Sequence, residues 1–148
     1  MKKNPSSECI AAWRRLLTVH ARVIARIEDK LAAAGLPPLG WYDVLFALHE
    51  QPGKRLRMAA LAEEVLLSRS GLTRLVDRLE AKGHLRREPC ATDKRGFLVV
   101  LTESGTEVMK QIWPVYRAGI AEHFSGPLSD TDVANLSSAF GKILLPSP

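Results

Sequence analysis

The sequence predicts a mainly α fold with one small β-hairpin, organised as a single domain over its 148 residues. Three observations carry this. Apolar residues recur every three or four positions through most of the chain, the period of an amphipathic helix. The stretch 85–101 switches to short runs that suit strands. Apolar residues make up 46% of the chain, which is enough to bury a core and excludes global disorder.

Each element follows from its own spacing. Ile10, Trp13, Leu17, His20, Ile24, Ile27 and Leu31 step by three and four in alternation, and Leu16 and Val23 widen the stripe. This predicts a long helix over 8–34 with a seam of coiled-coil type. Gly35, Pro37 and Pro38 stop it. A second helix over 39–50 carries Trp41, Val44, Leu45 and Leu48 and ends at Pro52-Gly53. Leu56 falls in a short link. A third helix, 58–66, turns Met58, Leu61 and Val65 inward. Ser68 then caps a fourth helix, which buries Leu72, Leu75, Val76 and Leu79 and stops at Gly83. LRRE at 85–88 and FLVVL at 97–101 read as strands joined by a loop over 90–96, with Pro89 marking an edge. Thr102 caps a fifth helix bearing Val108, Met109, Ile112, Trp113, Val115, Tyr116 and Ile120, which Pro114 should kink. SDTD opens a sixth at Ser129, with Val133, Leu136, Phe140 and Ile143 on its apolar face.

Helix, helix, link, helix, turn, helix, hairpin is the order of a winged helix-turn-helix, here flanked by terminal helices suited to dimerisation. The charge distribution bears on this. The net charge is +5, which fits either an acidic partner or an ordinary basic protein. Between Ser68 and Arg95 stand eight cations, Arg69, Arg74, Arg78, Lys82, Arg86, Arg87, Lys94 and Arg95, against four carboxylates. This fifth of the chain therefore holds most of the net charge. The fourth helix pairs an apolar seam with a face of Arg69, Ser70, Thr73 and Arg74, near an N-terminus that favours phosphate. Guanidiniums and hydroxyls are the groups that read base edges and phosphates. The plainer reading is a solvated charged helix. A second basic element beside it, the hairpin, weighs against that.

LTRLVDRLEAKGHLRR, then DKRG, then LVVLTESG resembles the MarR family of bacterial transcriptional regulators. The matching positions are Thr73, Leu75, Val76, Leu79, Gly83, Leu85, Arg87, Asp93, Arg95, Leu101, Thr102 and Gly105. The resemblance implies a homodimer with dimerisation helices over 8–34 and 103–146 and a DNA-binding region over 39–102. It also implies recognition helices in successive major grooves of a pseudo-palindromic operator, wings in the flanking minor grooves, and release or retention of DNA under control of a small phenolic, aromatic or lipophilic ligand, or of an oxidant. On this reading Ser68, Arg69, Ser70, Thr73, Arg74 and Arg78 face the major groove. Asp93 and Arg95, two apart in an extended arm, share a side, so Asp93 can orient Arg95 toward an A·T-rich minor groove while Lys94 points to a phosphate or solvent. A loose charged hairpin is the alternative.

Trp13, His20, Trp41 and Tyr42 suit either core packing or an effector pocket. Asp43 suits ligand orientation or a first-turn acid. Oxidant-sensing members of the family carry a cysteine in the first helix, where Cys9 stands; a buried inert thiol is the alternative. No role is assigned to Cys90. His20, His49, His84 and His123 lack metal-ligand spacing with one another or with a cysteine. No phosphate loop or nucleophilic cluster appears, so neither a cofactor, a metal nor an enzyme is expected. No apolar run reaches the length of a membrane span and the start lacks a signal-peptide pattern, so a cytoplasmic protein is expected. The sequence thus points to a ligand-responsive, DNA-binding homodimer that acts as a repressor. The rivals are a winged-helix protein-interaction module without DNA binding and an oxidant-sensing regulator acting through Cys9.

Overall fold

A computed structural model describes residues 4–67 and 69–146, with backbone alone for 93–95. The helices are α1 (Ser7–Ala33), α2 (Leu39–His49), α3 (Met58–Glu64), α4 (Leu72–Ala81), α5 (Glu103–Ile120) and α6 (Asp130–Leu144). The strands are β1 (Arg55–Arg57), β2 (Leu85–Cys90) and β3 (Asp93–Leu101), in the order β1-β3-β2 and antiparallel throughout. The mainly α class and the winged helix-turn-helix order are as expected.

The chain divides into two compact units, residues 30–116 and residues 1–29 with 117–148. The central unit has a close-packed core. Leu45, Leu48 and Val44 from α2 meet Leu61 from α3, Val76 and Leu79 from α4, Leu85 and Val99 from the sheet, and Met109 from α5. Leu75 is only partly buried. In the terminal unit Ile27 is buried, and a Cβ on Gly119 would lie 2.8 Å from its Cγ1, so a glycine lets α5 approach α1 there. The sixth helix is opened by a capping box at Ser129: Ser129 Oγ accepts from the Asp132 N–H and the Asp132 carboxylate accepts from the Ser129 N–H. Thr102 caps α5 through the Gly105 N–H, 3.1 Å. Helix α5 runs through Pro114 and gives way to a π-helical turn at Ala121–Ser125.

Three expectations need correcting. Leu56 is not in a link; it lies in β1, whose register with β3 pairs Leu56 with Val99. A three-residue strand is too short to display alternation. The loop expected over 90–96 is a two-residue turn, Ala91-Thr92, with β3 beginning at Asp93. The ladder tolerates polar residues because this end of the hairpin is exposed at Ala91 and Thr92. Pro89 does sit on an edge strand, beside a bulge at Pro89/Cys90. Lastly, α4 starts at Leu72, after Gly71 in the left-handed region at φ 75°. The expected cap, Ser68, lies outside the described residues.

Candidate nucleic-acid interface

Helix α4 is placed by its apolar side. Leu72, Val76 and Leu79 are buried, which leaves Thr73, Arg74, Asp77 and Arg78 exposed on the opposite face. Arg69 and Ser70 are exposed too, but they lie in the turn before α4 and not on the helix, because Gly71 interrupts helical geometry. Among the described residues none of Arg69, Arg74 and Arg78 forms an ion pair. Each guanidinium is therefore available to a phosphate or a base edge.

The turn that delivers α4 is pinned from α2. Asp43 accepts the Leu66 N–H on both carboxylate oxygens at 3.0 Å and the Leu67 N–H at 2.9 Å. These are charge-assisted bonds to backbone donors, and they hold the segment between α3 and α4. This use of Asp43 is not visible in sequence, because the partners are 23 and 24 residues away. Asp43→Ala should cost about 1–2 kcal/mol, since it leaves two amides without a protein partner but near water. Urea denaturation checks this; an unchanged midpoint would show that the turn holds itself.

The hairpin is held by arginines on both of its faces. Period-two alternation puts Leu85 and Arg87 on the core side of β2. Arg87 reaches α4 from there: Nη2 donates to Asp77 Oδ1 and Nη1 to Glu80 Oε1, both at 2.6 Å, and the guanidinium lies 5.0 Å from the Phe97 ring centre. The bond to Asp77, then that to Glu80, raises the Arg87 pKa against an opposing burial effect. On the other face Glu88 accepts from Arg86 on Oε1 and from Arg55 of β1 on Oε2. Arg86 foremost, and Arg55 with it, hold the Glu88 carboxyl below its usual range. Arg57 donates to Cys90 Sγ at 3.1 Å and Thr92 Oγ1 at 2.8 Å. Arg86 and Arg87, counted above as part of the basic surplus, are thus committed within the protein. Arg55 and Arg57, which the sequence reading passed over, belong to the wing through β1. Asp93, Lys94 and Arg95 open β3, and the side-chain contact expected between Asp93 and Arg95 lies outside the described residues.

The candidate effector residues divide between the units. Trp13 and His20 are exposed on the terminal unit, Trp13 at 58%. In the central unit Trp41 lies against His84, whose Nδ1 is 2.7 Å from Ser104 Oγ. Burial, and then Lys82, lower the His84 pKa. Tyr42 stacks on Phe46, Trp113 and Tyr116. Burial is the main cause that raises the pKa of both tyrosines, so their hydroxyls stay protonated. Cys9 is exposed in the first turn of α1, where its N–H donates to Ser6 Oγ, so the buried alternative does not describe it. No group of three or more His, Cys, Asp or Glu suited to a metal occurs among the described residues. No described helix is long and apolar enough to cross a membrane.

An α4 with an exposed cationic face, a pinned turn before it and a basic hairpin beside it define a winged-helix DNA-binding protein. Comparison with known proteins gives the family. Residues 34–96 match the model of the MarR family. The transcriptional regulator HosA of Escherichia coli is 34% identical over 118 residues, 80% of this chain and 83% of HosA. AbsC, a MarR family regulator from Streptomyces coelicolor, is 33% identical with a TM-score of 0.79, covering 96% of this chain and 95% of AbsC. Sco3205 from the same organism, a MarR family regulator solved in complex with DNA, is 29% identical with a TM-score of 0.83, covering 99% and 94%. The chain spans about half, 54%, of another curated relative it matches. The chain belongs to the MarR family of transcriptional regulators.

Proposed function

We propose that the protein represses transcription as a homodimer on a pseudo-palindromic operator, in the cytoplasm, with release controlled by a small aromatic effector. The observation that carries the DNA reading is the exposed set Arg74, Arg78 and Thr73 on the face of α4 opposite its buried seam, whose two arginines form no ion pair among the described residues. Ser70, Arg69 and Ser68 precede that helix, and the wing residues Asp93, Lys94 and Arg95 are assigned to the flanking minor groove. A gel-shift titration with the gene's own upstream DNA, across a salt series, tests this. The expected result is a specific complex whose affinity falls steeply with salt. Equal affinity for scrambled DNA, or none, would favour the protein-interaction module.

The dimer reading rests on the terminal helices. Helix α6 has no buried residue, and Phe140, Ile143 and Leu144 are 37%, 75% and 81% exposed. Ile10, Trp13 and Leu17 of α1 are exposed as well. A patch of this size on a monomer needs a cover, and a two-fold axis provides one with the same surface. Sedimentation at micromolar concentration should give a dimer; a monomer would refute this arrangement.

The effector reading rests on Tyr42, Trp41 and the Trp113 and Tyr116 rings stacked with Tyr42. A ligand regulates only by preferring one spacing of the two recognition helices. Salicylate-like acids should quench or shift tryptophan emission and lower DNA affinity together. Emission that never moves across a broad aromatic panel would rule the pocket out.

A further inference from the structure

We infer that Arg87 is the positioning residue that sets the wing against the recognition helix, and that readout of the DNA flanks depends on it. The inference rests on the DNA-binding reading above. One guanidinium bridges two elements with different duties. Its two terminal nitrogens are used by the carboxylates of Asp77 and Glu80, which stand three residues, about one helical turn, apart on α4. Its flat face rests on Phe97, which belongs to β3 of the wing. Ion pairs at this degree of exposure add little to stability, the Arg87 side chain being 26% exposed and Asp77 59%. Their geometry is another matter. A planar fork held at two points and stacked at a third has a fixed direction, which a single flexible contact does not give.

Electrostatics sharpen the point. Asp77 is exposed on the same helix face as Arg74 and Arg78. Carboxylates on a surface that meets phosphate repel it, so they are a liability there unless neutralised. Arg87 neutralises both while using them as anchors. The two effects predict opposite outcomes when the acids are removed. If the acids mattered only as charges, the double variant Asp77→Asn, Glu80→Gln would bind every duplex more tightly. If they anchor the wing through Arg87, the variant loses its advantage on flanked DNA even though it carries two fewer negative charges.

The test uses the full-length protein and duplexes selected by the wild type from a randomised library. Each selected site is made in two lengths, one with its flanks and one trimmed to the major-groove half-sites. The readout is the ratio of affinities for the two lengths at matched salt, which fold stability alone does not move. The ratio should fall by about tenfold in the double variant and in Arg87→Ala, the scale of a lost coupled pair. Arg87→Lys should not restore it, since an ammonium lacks the fork. A ratio equal to wild type in the double variant overturns the inference, and that variant keeps the test informative should Arg87→Ala fail to fold. Failure of the wild type to select any duplex would instead overturn the DNA-binding reading.

Discussion

Gly105→Ala should destabilise the central unit by about 2–3 kcal/mol, the upper part of the range for an overpacked site. Two effects compete. Alanine is favoured over glycine inside a helix by about 1 kcal/mol, and Gly105 lies in the first turn of α5, so propensity alone predicts a gain. Packing opposes it. A Cβ at this position would collide with the His84 carbonyl oxygen and approach Leu101 Cδ1 at 2.7 Å. The first obstacle is backbone, which cannot rotate away. That carbonyl also accepts the Thr102 N–H, and His84 abuts Leu85, whose register with Leu101 closes the sheet. Relief of the clash would disturb the cap, the sheet or both. Gly40→Ala is the matching control, because its Cβ would meet only Leu75 Cδ2 at an ordinary 3.7 Å. Thermal melts of both variants decide it: the two should differ in sign or by more than about 1 kcal/mol, and equal behaviour would mean that α5 can shift freely.

Arg74→Ala should weaken operator binding by about 1–3 kcal/mol and relax preference at one base position. The residue is exposed, makes no ion pair among the described residues and lies in the first turn of α4. Nothing in the fold depends on it, so the melting temperature should not change. Anisotropy titrations on the selected site and on single-base variants separate the two ways of contacting DNA. Loss of a base contact removes discrimination at one position; loss of a phosphate contact lowers affinity evenly and reduces the salt slope by about one. Retention of affinity and of preference would take Arg74 out of the interface.

Helices were legible in the sequence because each carries its seam in one segment. The seam of Leu72, Val76 and Leu79 is local, and so are the capping signals at Thr102 and Ser129. What escaped was made by distance. Strand β1 has three residues, and only its pairing with β3 reveals it. Asp43 and the amides it holds are too far apart for any local pattern. The candidate interface shows the same division. Counting cations marks where they crowd along the chain, yet charge carries no label for its partner. Arg86 and Arg87 look in sequence like Arg74 and Arg78, and only the fold shows that the first two face carboxylates. The apolar seam of α1 was read as one stripe; within the single chain Ile27 and Leu31 are buried while Ile10, Trp13 and Leu17 are not.

Helix α6 has a thermodynamic consequence of its own. A segment of 15 residues that fully buries none of them, with only Leu136 partly covered, draws little cohesion from its own chain beyond its backbone bonds and its cap. Its order is then linked by mass action to whatever covers it, and in the proposed dimer that cover is a second copy whose concentration the cell sets. Unfolding of such a helix shifts with dilution, while the core around Leu45, Leu48 and Leu79 has no reason to. If the proposed dimer is what covers α6, expression level enters the DNA-binding isotherm twice, once through the number of molecules and once through the fraction that is assembled.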